Sequence, residues 1–153
     1  VITAGNGSSK YAKKLEVFLA LVDGLIGICE EVGEGKMKEP YDAQDPQIVE
    51  SPYSGNSATD FKNNITGIRN VYLGLNGGKG LKDLVAAKNK SLDNTIQGEI
   101  TAAINSFDNI TQPFESAIIS QRVQIQQTID ALGVLKETLE DELKPFVIQY
   151  IVD

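Results

Sequence analysis

The sequence predicts an all-α fold, an up-and-down helical bundle of about four main helices with one long proline-containing loop. Apolar residues recur every three or four positions in several segments, whereas no segment shows a convincing period of two. The chain has 153 residues, of which 41% are hydrophobic, and this is enough for one sizeable core. Residues 1–153 are therefore interpreted as a single helical-bundle domain.

The composition excludes several kinds of site. The chain contains 0 histidines, which removes imidazole-based catalysis and nearly every zinc or non-haem iron site made within this polypeptide. The formal net charge of −7 argues against nucleic acid as a partner and against an anionic membrane surface, and it favours cationic partners or metal ions. No apolar run approaches the roughly 18 residues of a membrane span, so no transmembrane segment is predicted.

The first helix is predicted over about residues 11–31, where apolar side chains share one face. Gly33 or Gly35 would end it. Residues 33–56 then hold three prolines and no sustained periodicity, which predicts a long loop. Loops longer than about 15 residues are uncommon in compact domains and are often functional.

The first helix also carries two glycines and the only cysteine. Gly24 and Gly27 each cost a helix interior roughly 1 kcal/mol relative to alanine, and close approach of another helix is the expected reason for them. Cys29 has no second cysteine with which to form an internal disulfide. Its apolar neighbours predict a buried side chain rather than a reactive thiol.

The second helix is predicted over residues 57–74, with Ser57 and Asp60 spaced as in a capping box. Asp60 and Asn64 are four positions apart and would share a helix face. A carboxylate and an amide oxygen on one face can support a hard cation or orient a substrate. Alternatively, Asp60 only completes the capping box and the asparagines are solvated, and spacing alone favours this second interpretation.

Three further helical segments are predicted downstream, over residues 81–87, 91–107 and 114–142. Pro145 should kink or end the last of them near Lys144, because proline lacks the backbone N–H that a continuing helix needs.

The strongest likeness to a known family lies in residues 49–74, which read VESPYSGNSATDFKNNITGIRNVYLG. This stretch resembles the imelysin-like family, which includes an insulin-cleaving metallopeptidase and iron-regulated cell-envelope proteins. The resemblance extends in the family's order over about residues 9–146, with supporting pieces at 23–27, 84–93 and 138–143. It implies a helical fold and a role in the cell envelope.

The family's G-x-H-x-x-E motif, proposed as a metal site, cannot lie in a chain without histidine. In the family that motif belongs to the amino-terminal half of a protein more than twice this length. The resemblance therefore implies that this chain is the carboxy-terminal half, one of two bundles, with the main ligands for iron or zinc outside it. Proteolysis or a split gene model would also explain the start at Val1.

Some family members read Ser-Asp-Asn-Thr-His where residues 54–58 of this chain read SGNSA. The carboxylate and the imidazole are missing here, which weakens a peptidase assignment. By resemblance, five residues would face the cleft between the two halves: Asn56, Ser57, Asp60, Asn64 and Arg69. Asp60 is the best metal candidate, as a ligand or as a group that orients one, and Arg69 would bind a carboxylate or another anionic group.

The resemblance implies an extracytoplasmic protein of iron acquisition, periplasmic or attached to the outer membrane as a lipoprotein. It would bind a metal ion or a metal-bearing ligand in a cleft shared with the amino-terminal half. One alternative is a metallopeptidase whose site lies on the missing half, and another is a non-catalytic helical interaction module. No catalytic residue is assigned to this chain.

Overall fold

The structure is a computed structural model that describes residues 4–152, and within that range the regular elements are helical, as the all-α prediction requires. Eight α-helices follow one another there: α1 (Lys14–Glu30), α2 (Glu39–Ala43), α3 (Ser57–Leu73), α4 (Leu81–Lys88), α5 (Lys90–Ser106), α6 (Phe114–Ser120), α7 (Arg122–Thr138) and α8 (Lys144–Tyr150). Two π-helices also occur, at Glu31–Lys38 and Leu139–Leu143. No helix in the described range is long and apolar enough to cross a membrane.

The four long helices, α1, α3, α5 and α7, have 17 residues each and form a ring. Helix α3 packs against α1 and α5, and α7 packs against α5 and α1, which closes the bundle. The apolar stripes meet in one core, whose largest fully buried side chains include Phe61, Tyr72 and Phe114. The predicted bundle of about four main helices is thus confirmed.

The predicted loop over residues 33–56 is wrong in its first half. The π-helix Glu31–Lys38 continues α1, and α2 follows directly to Ala43, so the connecting segment is shortened to residues 44–56 and itself contains a 3₁₀-helix at Pro46–Ile48. Pro40 lies in the first turn of α2, where a helix does not need the missing N–H. Gly33 does not end the helix either, because it is buried where α7 comes close: a Cβ there would lie 3.5 Å from Cβ of Leu132.

The predicted last helix, residues 114–142, is interrupted at Gln121, which has φ −125° and ψ 42° between α6 and α7. Its side-chain oxygen accepts hydrogen bonds from the backbone N–H groups of Thr111 and Gln112, both at 3.0 Å, and this holds the break in place. Pro145 does not end the helix, because the preceding π-helix changes the hydrogen-bonding register and Pro145 falls in the first turn of α8.

Cys29 is 2% exposed, as its apolar neighbours predict, and burial raises the pKa of its thiol to about 12. The close approach expected at Gly24 and Gly27 is not made by the described residues. A Cβ built on either glycine meets no atom within 4 Å. Both glycines lie on an exposed part of α1.

Candidate functional site

The amino-terminal turns of α3 carry most of the residues expected to form a site. Asn56 is the residue before the helix, and its side-chain amide donates to Oδ1 of Asp60 at 3.1 Å. The expected capping box between Ser57 and Asp60 is wrong, because Ser57 already lies within the first helical turn and its hydroxyl bonds elsewhere. Asp60 is left at the surface with its carboxylate beside an amide.

Ser57 is 1% exposed and joins three parts of the chain. Its hydroxyl lies 2.5 Å from the carbonyl oxygen of Glu50 and 3.2 Å from Oε1 of Glu115 on α6. One hydroxyl proton can be donated to only one acceptor at a time, and the shorter contact identifies the Glu50 carbonyl as the stronger partner. Ser57 therefore fixes the end of segment 44–56 against α3 and α6.

Replacing Ser57 with alanine should lower the free energy of unfolding by about 1.5 kcal/mol, because the part-buried hydrogen bond that joins Ser57 to the carbonyl of Glu50 is lost. Equilibrium urea unfolding of the full-length protein measures the change. Ser106→Ala is the matched control, since Ser106 also donates to a carbonyl, that of Ala103 at 2.7 Å, but only within its own helix. We expect the control to cost less than about 0.5 kcal/mol. Equal losses in the two variants would contradict the role of Ser57 as a link between segments.

A polar groove of about 340 Å³ lies between α3 and the continuous helix that α1 forms with the first π-helix. We call it the α1–α3 groove and define it by its seven lining residues: Ile28, Glu31, Val32, Lys36, Asn63, Asn64 and Gly67. One wall comes from α1 and the first π-helix, and the other from the middle of α3. One wall of the groove thus combines two apolar with two charged side chains, and the other has two amides and a glycine.

Lys36 is held in this groove by two carboxylates. Its Nζ lies 3.0 Å from Oε1 of Glu31 and 3.2 Å from Oε2 of Glu50. The hydrogen bond to Glu31, followed by that to Glu50, raises the pKa of Lys36 against the opposing effect of burial. The ion pairs connect the π-helix to the end of segment 44–56, on the residue whose carbonyl accepts from Ser57.

Four of the five predicted residues lie together or follow one another along α3. Asn64 lines the groove, and Asp60 lies one turn earlier on the same side of the helix, next to Asn56. Arg69 lies elsewhere: it lines a separate cavity of about 40 Å³ between α3 and α5. Arg69 is nine positions after Asp60 in an α-helix, which places the two side chains on opposite sides of α3.

The five residues that the resemblance assigns to the cleft do not include Glu31, Lys36 and Glu50. An α-helix places residues five apart on different faces, whereas the hydrogen bonding of a π-helix spans five residues and brings Glu31 and Lys36 together. Glu50 and Glu115 reach the site only through tertiary packing. The acidic residues at the end of the first helix were the one available signal in the sequence.

The oxygen atoms near Asp60 suit a hard cation but do not complete a coordination shell. Among residues 4–152, no three acidic or cysteine side chains are grouped closely enough to hold a metal ion. The carboxylate of Asp60 can provide one ligand, and the side chains of Asn56 and Asn64 lie on the same side of α3. A complete site at this surface would require ligands from outside this chain.

Comparison with known proteins places this helical arrangement in a family. The model of the imelysin family, peptidase family M75, matches residues 3–139. The chain is 26% identical to Iron-regulated protein A of Synechococcus elongatus, with the match covering 96% of this chain and 43% of that protein.

Two solved structures have the same fold. An imelysin peptidase from Bacteroides ovatus is 32% identical, with a TM-score of 0.83 over 94% of this chain and 43% of that chain. A protein described as an iron-regulated protein A precursor, from Parabacteroides distasonis, is 25% identical, with a TM-score of 0.81 over 90% of this chain and 44% of that chain. The chain spans less than half the length of each of these relatives. On the extent of the family match and the shared helical fold, the chain belongs to the imelysin family.

Proposed function

We propose that this chain supplies one wall of a cleft that binds a metal ion, or a ligand bearing one, in an extracytoplasmic protein of iron acquisition. The observation that carries the proposal is the exposed carboxylate of Asp60, which lies beside Asn56 and on the same side of α3 as the groove residue Asn64. The other wall and the main ligands come from the amino-terminal half of the same protein.

The chemistry of these side chains supports a cation as the ligand. Carboxylate and amide oxygens are preferred by hard cations, and a carboxylate also serves zinc. Within the described residues, the side chain that hydrogen-bonds to the Asp60 carboxylate is the neutral amide of Asn56. The negative charge of Asp60 is therefore not neutralised by that partner. The net charge of −7 favours the approach of a cation. Iron and zinc are therefore the ions to test.

The names of the relatives support the association with iron and the location. Two of them are called iron-regulated protein A, and one of these is a precursor. We extend that association to this chain and place its parent protein in the cell envelope, in the periplasm or attached to the outer membrane as a lipoprotein. Arg69 does not belong to the proposed cleft, because its cavity is on the other side of α3.

Calorimetric titration of the full-length protein with ferrous, ferric and zinc ions tests the proposal. Asp60→Asn should weaken binding at least about tenfold, because it removes the negative charge and keeps the shape. Asp130→Asn is the matched control: Asp130 is exposed and accepts from the amide of Gln126, also four residues earlier, at 2.8 Å. Binding should be unchanged in that control. An absence of metal binding, or equal affinity in both variants, would contradict the proposal.

A second candidate function is peptidase activity, favoured by the Bacteroides ovatus relative, which is called an imelysin peptidase. In that case the metal-activated water would be provided by the missing half, and this chain would only complete the cleft. Cleavage of a peptide substrate by the full-length protein, lost on chelation and restored by zinc, would favour this candidate. If neither metal binding nor cleavage occurs, a helical interaction module is left as the interpretation.

A further inference from the structure

Glu99 on α5 carries the one buried side-chain nitrogen or oxygen atom of the described residues that has no hydrogen-bond partner. That atom is Oε2, whereas the other carboxylate oxygen, Oε1, accepts a hydrogen bond from the hydroxyl of Thr138 at 3.0 Å. A buried polar atom without a partner is rare in proteins, because its lost hydration is not replaced. This oxygen therefore requires an explanation that the packing of the bundle does not give.

Glu99 lies where α5 meets the junction between α7 and the second π-helix. Thr138 is the last residue of α7, and the π-helix Leu139–Leu143 follows it directly. Glu142 in that π-helix is close enough for its negative charge to act on Glu99. The hydrogen bond from Thr138 thus holds the junction to α5, while the charge of Glu142 opposes the same contact. Single turns of π-helix are frequent at functional sites.

The other charged side chains of the junction do not offset this repulsion. Glu137, Glu140 and Asp141 are acidic and exposed. The nearby lysine, Lys136, lies on the side of α7 that faces α1, where its Nζ is 3.9 Å from Oε1 of Glu30. The end of α7 and the π-helix therefore offer Glu99 a hydroxyl donor and a like charge.

The remaining elements that pack against α5 direct their charged groups elsewhere. On α3, Arg69 lines the small cavity with Gln97 and Thr101, on another side of α5 from Glu99. On α4, Asp83 accepts from the backbone N–H of Gly80 at 2.9 Å. In the 3₁₀-turn after α5, Asp108 forms an ion pair with a lysine of α3. On α5 itself, Lys90 and Asp93 pair with each other at 2.6 Å.

This environment favours the neutral form of the Glu99 carboxyl. Burial raises its pKa, the hydrogen bond from Thr138 opposes that effect, and the charge of Glu142 adds to it. The pKa in the folded chain therefore lies above the ordinary value of 4.5. A proton taken up from the solvent cancels the buried charge and removes the repulsion from Glu142.

We propose that Glu99 is a proton-binding group that makes the contact between α5 and the second π-helix sensitive to pH. With the proton bound, the contact is closed. When the proton is lost, the carboxylate is repelled by Glu142 and draws water to its buried oxygen, so the π-helix and α8 open locally. The device goes beyond the proposed metal site and does not depend on it, since none of its groups belongs to that site.

The pKa shift fixes the direction of the effect. Between pH 4.5 and the folded pKa of Glu99, the native chain binds more protons than the unfolded chain. The free energy of unfolding therefore falls as the pH rises through this window. Below pH 4.5 the carboxyl is protonated in both states, and the destabilisation disappears.

Glu99→Gln in the full-length protein tests the proposal, because glutamine is neutral at every pH and its oxygen can still accept from Thr138. Measured against the wild type, the melting temperature of the variant should be about 2 °C more favourable at pH 7 than at pH 4. Glu137→Gln is the matched control, since it removes the same charge from an exposed position on α7. Equal changes between the two pH values in both variants would overturn the proposal.

Carbon-13 NMR titration of the glutamate carboxyls measures the protonation directly in the unmodified full-length protein. The midpoint of Glu99 should lie above that of Glu137. Glu142→Gln should lower the Glu99 midpoint by removing the like charge, and Thr138→Val should raise it by removing the donor. These opposite shifts separate a proton-binding group from one that only fills space. The same midpoint for Glu99 and Glu137 would overturn the proposal.

Hydrogen exchange detected by mass spectrometry follows the contact itself. After correction for the intrinsic effect of pH on exchange, residues 139–150 should exchange at least about threefold faster at pH 7 than at pH 4. Glu99→Gln should abolish that difference. Exchange of this segment that is independent of pH in the wild type, or a difference that persists in Glu99→Gln, would overturn the proposal. Neither result bears on metal binding by Asp60.

Discussion

Replacement of Phe114 by alanine is expected to lower the free energy of unfolding by about 4 kcal/mol. Phe114 begins α6 and is 0% exposed, and its ring meets that of Phe61 edge to face, with centroids 5.3 Å apart and planes at 86°. The change removes a buried ring and leaves a cavity between α6 and α3. Because the next residue, Glu115, contacts Ser57, the loss should also loosen the start of α3.

Equilibrium urea unfolding of the full-length protein measures this effect, with Tyr53→Ala as the control because Tyr53 is an aromatic residue that is 94% exposed. The control should cost less than about 0.5 kcal/mol. A double-mutant cycle with Phe61→Ala should give a coupling energy of about 1 kcal/mol from the edge-to-face contact. A coupling near zero, or a loss below about 2 kcal/mol for Phe114→Ala, would contradict this account of the core.

The second large effect is expected at Asp93, a carboxylate that is 1% exposed at the beginning of α5. It accepts hydrogen bonds from the hydroxyl of Tyr72 at 3.2 Å, the amide of Gln97 at 2.9 Å and Nζ of Lys90 at 2.6 Å. Asp93→Ala leaves the buried Tyr72 hydroxyl without its acceptor. We expect a loss of about 3 kcal/mol in the free energy of unfolding at neutral pH.

The effect of Asp93 should depend on pH. Burial acts to raise the pKa of this carboxyl, but the hydrogen bonds from Lys90 and Gln97 and the charge of Lys90 outweigh it, so the pKa lies below its ordinary value of 3.8. Between the two pKa values the unfolded chain binds more protons than the native one. The stabilisation is therefore complete above the unfolded pKa and is lost as the pH falls through the folded pKa.

Urea unfolding of the wild-type protein and Asp93→Ala at a series of pH values measures this dependence. The difference between them should be constant from pH 7 to about pH 5 and should shrink below about pH 4. Asp130→Ala serves as the control, because that carboxylate is exposed on α7 and should give only a small difference throughout. A large difference that persists unchanged to pH 2 would exclude the ionised carboxylate as its source.

Local apolar spacing was sufficient to predict most of the helices. The expected helix over residues 57–74 is α3, which ends at Leu73, and the expected short helix over 81–87 is α4, which ends at Lys88. The two π-helices could not be predicted in this way, because a wider turn is stabilised by what packs against it. Glycine and proline near residues 33–46 indicate a loop by propensity, but Gly33 packs on α7 and Pro40 begins a helix.

In the candidate site, too, some features follow from helical spacing and others depend on tertiary packing. Helical spacing places Asp60 and Asn64 on one side of α3, and the same spacing places Arg69 on the opposite side, so this part could be worked out from the sequence. The link from Ser57 to Glu115 joins residues 58 positions apart, and the link from Lys36 to Glu50 closes segment 44–56 onto a π-helix. These contacts depend on how α3, α6 and the π-helix pack.

The sequence by itself determined the class of fold, the single buried cysteine and the absence of imidazole, since each follows from composition or from local periodicity. Only the tertiary structure decided which polar groups meet and which faces of the bundle are left open. Gly24 and Gly27 show the difference: the sequence predicts that another helix packs closely against them, and in the described part of the chain an added Cβ at either position meets no atom within 4 Å. A helix face is defined by local spacing, but its partner is defined by packing over the whole molecule.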